Sequence, residues 1–359
     1  MMTPDLHPAR VPPSKMIRRG IRGFIFFSAL GTFVAMWWKR PAGLEEIINR
    51  IDWSIMPLLI PLIALDFWLG GFRFKLYFDG KTFAKVSQWN CMRSNWANMF
   101  MGAITPFQTG SAPAQFYILW RKGVSVTDAL LVSSVNFGAT LIFFLLSSAA
   151  ALFWIPAGYL GKNFTPLFQT GFVLVGSVAG AILILLLFPY IGHRAIQKIV
   201  SLLPFKSQKT LSRRDRLLMR LEAETDRFGA GFRVILKRAK WKLLLTVIAT
   251  LVLFSNKYLM GYVIARAIGQ DVPFALFFGL QVVQLLVVYF APTPGASGVA
   301  EVSSVWLMEQ LMPQQMLLVY TVLWRFSSTL LGAICGAVVL LKELGTDTGN
   351  DSPADPGAP

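Results

Sequence analysis

The chain reads as an all-α polytopic membrane protein with two inverted-topology repeats, built from six transmembrane helices and two re-entrant hairpins. Three observations predict this. Apolar stretches of about 20 residues recur along its length, Lys and Arg collect on alternate sides of those stretches, and one short motif occurs twice at a wide spacing. Hydrophobic residues make up 55% of the 359-residue chain and charged residues 14%, against roughly 25% charged in an average soluble domain. Apolar runs of that length are what a bilayer-crossing helix requires.

Taken in order, the segment 1–19 is a polar, basic N-terminal stretch, and membrane repeat 1 spans 20–154. It contains spans at about 20–38, 53–73 and 127–154, with an interrupted apolar segment at about 94–120 between the second and third. Membrane repeat 2 spans 155–342. Its spans lie at about 167–191, 243–265 and 316–341, its interrupted segment at about 274–312, and a basic insertion at about 193–242. Within that insertion "LSRRDRLLMRLEAETDRFGAGF" places apolar residues at helical spacing among arginines, the pattern of an amphipathic helix lying on a membrane surface. The tail 343–359 is small, polar and proline-rich, hence disordered. The N-terminal basic-then-apolar stretch resembles a signal peptide, but "AMWWKRP" offers no small-residue cleavage site, so it reads as an uncleaved anchor.

The basic residues orient the spans. With a cytoplasmic N-terminus, the inside segments hold five Lys and Arg at 1–22, five at 73–93, two at 121–126, fourteen at 193–242 and one in the tail. The outside segments hold three at 39–52, one at 155–166, one at 266–273 and none at 291–315. This asymmetry follows the positive-inside rule and places both termini in the cytoplasm, with the plasma membrane as the location. The formal charge of +16 is therefore spent on the anionic inner leaflet, not on nucleic acid. Two cysteines in different apolar segments and two histidines, at His7 and His193, form no disulfide framework and no metal motif; no cofactor is implied.

The recurring motif is "TPFQTG" at 105–110 and "TPGASG" at 293–298, both T-P-x-x-[ST]-G, 188 residues apart. The same offset carries the span 53–73 onto 243–265 and the span 127–154 onto 316–341. Each half then reads span, span, broken segment, span. Three crossings per half is an odd number, so the second half is inverted, and the two broken segments enter from opposite faces. Paired interrupted segments of this kind point to a transporter's substrate site. Proline ends a helix by lacking an amide donor; glycine permits a reversal. Freed backbone groups cannot face lipid, and half-helix N-termini present N–H groups suited to an anion.

The candidate substrate-binding residues are accordingly Thr105, Pro106, Gln108, Thr109, Gly110 and Gln115 in the first break, and Thr293, Pro294, Gly295, Ser297, Gly298 and Glu301 in the second. Ser297 is placed to cap the half-helix, and Gln115 reads as a loose counterpart of Glu301. Lys257 and Arg325 join them as cations within spans, where a charge costs about 2.5–3.5 kcal/mol and so lines a polar interior or finds a partner. Arg325 with Glu301 and Lys257 with Asp66 are the pairs that a purely structural role predicts. Asn136, Gln281 and Gln284 read as bonds between helices, and Gly176-x-x-x-Gly180 and Gly332-x-x-x-Gly336 as packing motifs.

At "PTPGASGVAE" and "TPFQTGSAPAQFYILWRKGVS" the chain resembles the lysylphosphatidylglycerol synthase transmembrane region, also described as a flippase-like integral membrane family, over roughly residues 20–342. Many members carry Gly-Glu in the first signature, where this chain has Gly110-Ser111 and Gln115. In the bifunctional relatives this region precedes a cytosolic aminoacyl-transferase domain and is implicated in flipping the aminoacylated lipid; here about 17 residues follow the last span. The resemblance implies translocation of a phospholipid or lipid-linked anionic substrate between leaflets. A membrane enzyme modifying lipid head groups, or a structural partner of another membrane enzyme, are the alternatives, and a homo-oligomer stays open.

Overall fold

The computed structural model describes residues 51–156, 226–237, 239–289 and 291–347, with a few single residues between 157 and 225. The expected spans at 20–38 and 167–191, most of the basic insertion, the N-terminal segment and nearly all of the tail lie outside the described residues. Among the described residues the chain is helical throughout, with no strand. Four helical stretches are long and apolar enough to cross a membrane: Met56–Lys75, Val126–Ala151, Lys240–Ala267 and Gln314–Leu344. They match the four expected spans that fall there.

Helix α1 runs Leu59–Lys75. Helix α2, Gln88–Ile104, is followed by a break and a short helix α3, Ser111–Trp120. Helix α2 begins six residues before the expected segment because the Ser87 hydroxyl accepts from the amide of Asn90 at 3.2 Å and starts the helix; its polar first turn escapes an apolarity criterion. Helix α4, Val126–Trp154, is likewise started by Ser125, which accepts from Asp128 N at 3.0 Å. Helix α5 occupies 226–237. Helix α6 is Lys240–Ala267, and α7, Phe274–Tyr289, leads through a second break to α8, Val299–Met308. The last span divides into α9, Gln314–Arg325, a π-helical turn at Phe326–Leu330, and α10, Leu331–Asp347.

The offset of 188 holds in this helical register. It carries Ser111–Trp120 onto Val299–Met308 residue for residue and the start of α4, Val126, onto the start of α9, Gln314. The packing is reciprocal. Helices α1 and α6 pack together, α2 packs on α10, and α7 packs on α4, so each broken segment is held mainly by the closing helix of the other half. Polar ties cross the α1–α6 seam: Asn256 Nδ2 donates to Leu62 O at 2.8 Å, and the Tyr77 and Thr246 hydroxyls lie 2.9 Å apart.

One apolar cluster joins α4 to α6, α7, α8 and α9, and another joins the first broken segment to α10. A third gathers the loop after α1 around Tyr77, Phe78 and Val86, with Leu131 and Val132 of α4. Helix α5 packs into this third cluster through Phe232 and Ile235, and Arg227 pairs with Asp128 at 3.3 Å. Phe232 and Ile235 thus pack on protein, and most of the stretch expected to form a surface-lying helix falls outside the described residues. The same loop is tied to α6 by Asp79, 2.6 Å from Lys242 Nζ. Burial alone raises the Asp79 carboxyl, but the Lys242 bond and the amides of Thr82 and Lys81 outweigh it and hold it below the usual carboxylate range. That tie contributes stability above the ordinary carboxylate pKa and loses it as pH falls below.

At the end of the bundle where α2 starts and α10 ends, the buried Glu343 carboxylate meets Arg93 at 2.7 Å, Arg121 at 3.3 Å and Lys122 at 3.6 Å. Along the α2–α10 contact, a methyl group at Gly336 would run into the backbone carbonyl of Trp96, whereas one at Gly332 would meet chiefly the flexible end of Met99, with the Phe67 ring next nearest. Both glycines of the expected packing motif thus face α2. Gly336→Ala is expected to cost about 1–3 kcal/mol by overpacking, read as a lower unfolding midpoint of the purified protein. Gly332→Ala should cost less than half as much; equal losses would assign the contact to general crowding and not to the Trp96 backbone.

Candidate functional site

The two breaks share one backbone conformation. In the first, Thr109 N donates to Pro106 O at 3.1 Å across Phe107 and Gln108, whose φ values are 50° and 54°. In the second, Ser297 N donates to Pro294 O at 3.0 Å across Gly295 and Ala296, at 58° and 57°. In each, a preceding turn closes on the threonine: Gln108 N to Thr105 O at 3.2 Å and Ala296 N to Thr293 O at 3.0 Å. Proline fixes the entry to each turn, and the next two residues take the left-handed form that reverses the chain. Three of those four residues are not glycine, and each costs roughly 1–2 kcal/mol in that conformation. Phe107 also stands 66% exposed. Such outliers persist only where the surroundings over-determine them.

The halves differ in how the next helix is started. The Thr105 hydroxyl donates to Met101 O at 2.6 Å and accepts from Gly110 N at 2.9 Å. In the second break the equivalent amide, Gly298 N, donates instead to Glu301 Oε2 at 2.6 Å. Glu301 thus reaches back to the first residue of its own half-helix, one arm of a capping box, and the buried Thr293 hydroxyl is left without a hydrogen-bond partner. Two expectations change here. Ser297 does not cap α8; Gly298 is the cap residue, served by Glu301. Gln115 is not the counterpart of Glu301, since the offset places Pro113 there. Gln115 is buried in the first hairpin, where its Oε1 accepts from Asn98 at 3.1 Å.

The glycines at the two breaks serve different ends. A side chain at Gly110 would collide with Thr105 and Met101, so the constraint there is space. Gly298 has open space around its Cβ position but holds φ at +83°, so the constraint there is conformation.

Arg325, 4% exposed, draws the second break to the last span. Its Nη1 donates to Gly295 O at 2.9 Å, its Nη2 approaches Ser297 Oγ at 3.5 Å, and its Nε lies 3.5 Å from Glu301 Oε1. The π-helical turn begins at the next residue. There the hydroxyls of Ser327 and Ser328 donate to Trp324 O at 3.1 and 2.6 Å, taking up a carbonyl that the widened turn would leave open. Lys257 forms the other expected pair, 2.8 Å from Asp66.

The two breaks touch, and beside them lies a cavity of about 170 Å³ whose lining includes Gln108, Lys257, Gln281, Tyr289, Arg325 and Ser328. It has room for about six waters at ~30 Å³ each. Three of the candidate substrate-binding residues, Gln108, Lys257 and Arg325, come together on it. Thr105, Pro106, Thr109, Gly110, Thr293, Pro294, Gly295, Ser297, Gly298 and Glu301 build the two breaks and the start of α8. Tyr289 and Ser328 were not singled out; the "FSST" run inside an apolar span was the signal for the π turn. Gln281 Nε2 donates to the Tyr320 hydroxyl, bearing out a bond between helices. Gln284, fully buried, has no hydrogen-bond partner for either side-chain atom.

Fold and site together define an integral membrane protein of several apolar helices with two touching breaks. The model of the lysylphosphatidylglycerol synthase TM region matches residues 23–336, and the chain belongs to that family. A UPF0104 membrane protein of Archaeoglobus fulgidus is similar to it, 27% identical over 303 residues that cover 82% of this chain and 88% of that protein.

Breaking a buried ion pair on one side costs about 3–5 kcal/mol, because the orphaned charge stays desolvated. Arg325→Gln is therefore expected to lower unfolding stability by about that much, and Arg325→Gln combined with Glu301→Gln to recover more than half of it. Equal losses in the single and double variants would show that Arg325 acts through Gly295 and Ser297 alone.

Proposed function

We propose that the cavity beside the two breaks receives the polar head of a lipid, or of a lipid-linked anionic molecule, and that the protein moves this head between the leaflets of the plasma membrane. The observation that carries this is the meeting of two broken segments on a cavity bearing both Lys257 and Arg325. In this reading the halves are inverted repeats, the broken segments are re-entrant hairpins, and both termini are cytoplasmic. The reciprocal packing of the halves at the offset of 188 supports the repeat. The gathering of Arg93, Arg121 and Lys122 at one end supports placing that end in the cytoplasm. The candidate site residues act in two ways. The Thr-Pro turns and glycines shape the breaks, and Gln108, Lys257 and Arg325 face what enters the cavity. The family description, which names a lipid-modifying synthase, fits a lipid as the substrate class.

Purified protein in liposomes should accelerate leaflet exchange of a labelled anionic phospholipid. Gly110→Leu and Gly298→Leu should each abolish the acceleration while the protein still inserts. Exchange that survives in both variants would overturn the placement of the site at the breaks. Topology is checked separately in a variant lacking Cys91 and Cys335. A cysteine beside Arg121 should label only from the cytoplasmic side and one beside Gln310 only from outside, and labelling of both from one side would overturn the inverted arrangement.

A further inference from the structure

Arg73 is a cation that the charge pattern assigns to a span end, yet its part-buried guanidinium turns inward onto α4. Its Nη2 donates to Asn136 O at 2.6 Å and to Thr140 Oγ1 at 3.2 Å, and its Nε to Asn136 Oδ1 at 3.3 Å. Asn136 stands ten residues into α4, about 15 Å along it, and Arg325 stands eleven residues into α9, about 16 Å along it, at 1.5 Å per residue. Since α4 and α9 are equivalent under the 188 offset, the two guanidinium groups sit at similar depth in their respective halves.

Every partner of Arg73 is uncharged, and among the described residues no carboxylate lies within 4 Å of it. Among the described residues, the other charges singled out within spans cancel in pairs: Lys257 with Asp66 and Arg325 with Glu301. Three cations against two carboxylates leave one positive charge. Arg73 stands behind the cavity wall and not in its lining: it bonds Asn136, whose neighbour Phe137 stacks on Tyr289, and Tyr289 lines the cavity. Neutral hydrogen bonds orient a part-buried guanidinium but do not cancel its charge, and an uncompensated charge in a low-dielectric surrounding favours an anion beside it.

We propose that Arg73 is the charge-selecting residue of the cavity, giving it preference for a head group with one net negative charge, a phosphodiester monoanion, over a zwitterion. Lys257 and Arg325 bring carboxylates with them and so position the group without setting its net charge. This rests on the proposed reading that the cavity is the substrate site.

The test uses the full chain in nanodiscs of equimolar phosphatidylglycerol and phosphatidylcholine, with retained lipid identified by native mass spectrometry. The wild type should retain phosphatidylglycerol preferentially. Arg73→Gln should lower its retention about tenfold, while phosphatidylcholine is unchanged. Arg73→Lys should keep the preference. Arg73→Gln with Glu301→Gln, which restores the net positive charge, should regain it.

Undiminished phosphatidylglycerol retention in folded Arg73→Gln overturns the proposal. So does a loss that the double variant fails to rescue, which would make Arg73 a local tie between helices. Should Arg73→Gln not fold, Asp66→Asn adds an uncompensated cation instead; it should raise phosphatidylglycerol retention, and no rise overturns the proposal. Dimethyl phosphate, a soluble monoanionic diester, should compete weakly if the lipid is recognised through its diester and not at all if chain contacts select it; the latter overturns selection by charge. Ser328→Trp fills the cavity and separates the two readings. If wild-type preference survives it, the cavity is not the site and both fall. If it abolishes the preference while Arg73→Gln does not, only the role of Arg73 falls.

Discussion

A chain that breaks its helices within an apolar bundle must find partners for the backbone groups it frees, and in the second half of this protein Arg325 does so. One guanidinium bonds the carbonyl of Gly295, approaches the hydroxyl of Ser297 and faces the carboxylate of Glu301. Glu301 in turn holds the amide of Gly298, the cap residue of α8. The last span, the second break and the start of the following half-helix are thereby one electrostatic unit. Without the cation, Glu301 is a buried carboxylate at a helix start, and the Gly295 carbonyl faces a low-dielectric interior with nothing to bond. The π turn directly after Arg325 belongs to the same unit, since it sets where the helix resumes once the arginine has turned inward.

The first half solves the same problem without charge. Its equivalent of Glu301 is a proline, and the hydroxyl of Thr105 serves Gly110 N in place of a carboxylate. The equivalent of Arg325 is Phe137, which stacks on Tyr289. Two backbone turns of one shape thus rest on an ionic network in one half and on a hydroxyl and close packing in the other. The charge that the first half does bring inward, Arg73, comes from a different helix and is oriented by amide and hydroxyl groups.

Much of this was legible in the sequence because its signals are local or periodic. Apolar length located the four spans within the described residues, and the Thr-Pro-x-x-Ser/Thr-Gly repeat located both breaks, with an offset that the helical register keeps residue for residue. The ion pairs were legible as alternatives, since a buried Lys and Arg each had one carboxylate within reach of the same segments. What stayed hidden depends on geometry that no residue type announces. Phe107 and Gln108 adopt a left-handed form that only their alignment with Gly295 and Ala296 reveals. Gln115 matched Glu301 in polarity but not in register. Arg73 looked like a span-end cation because its backbone is at a span end; its long side chain reaches inward to Asn136.

The contact of Gly336 with the Trp96 backbone has a consequence for how the protein is made. Helix α2 ends at Ile104, and its closest-packed partner, α10, begins at Leu331. At ~5–20 residues per second, synthesis separates the two by on the order of 10–50 s. During that interval the face of α2 that will receive the two glycines has no mate, and the side chains of Arg93 and Arg121 lack the Glu343 carboxylate on which they converge. The first broken segment is thus an early-made part that reaches its final seat only when the last helix arrives. The order of insertion, and not the local stability of the hairpin, therefore governs when the cavity first exists.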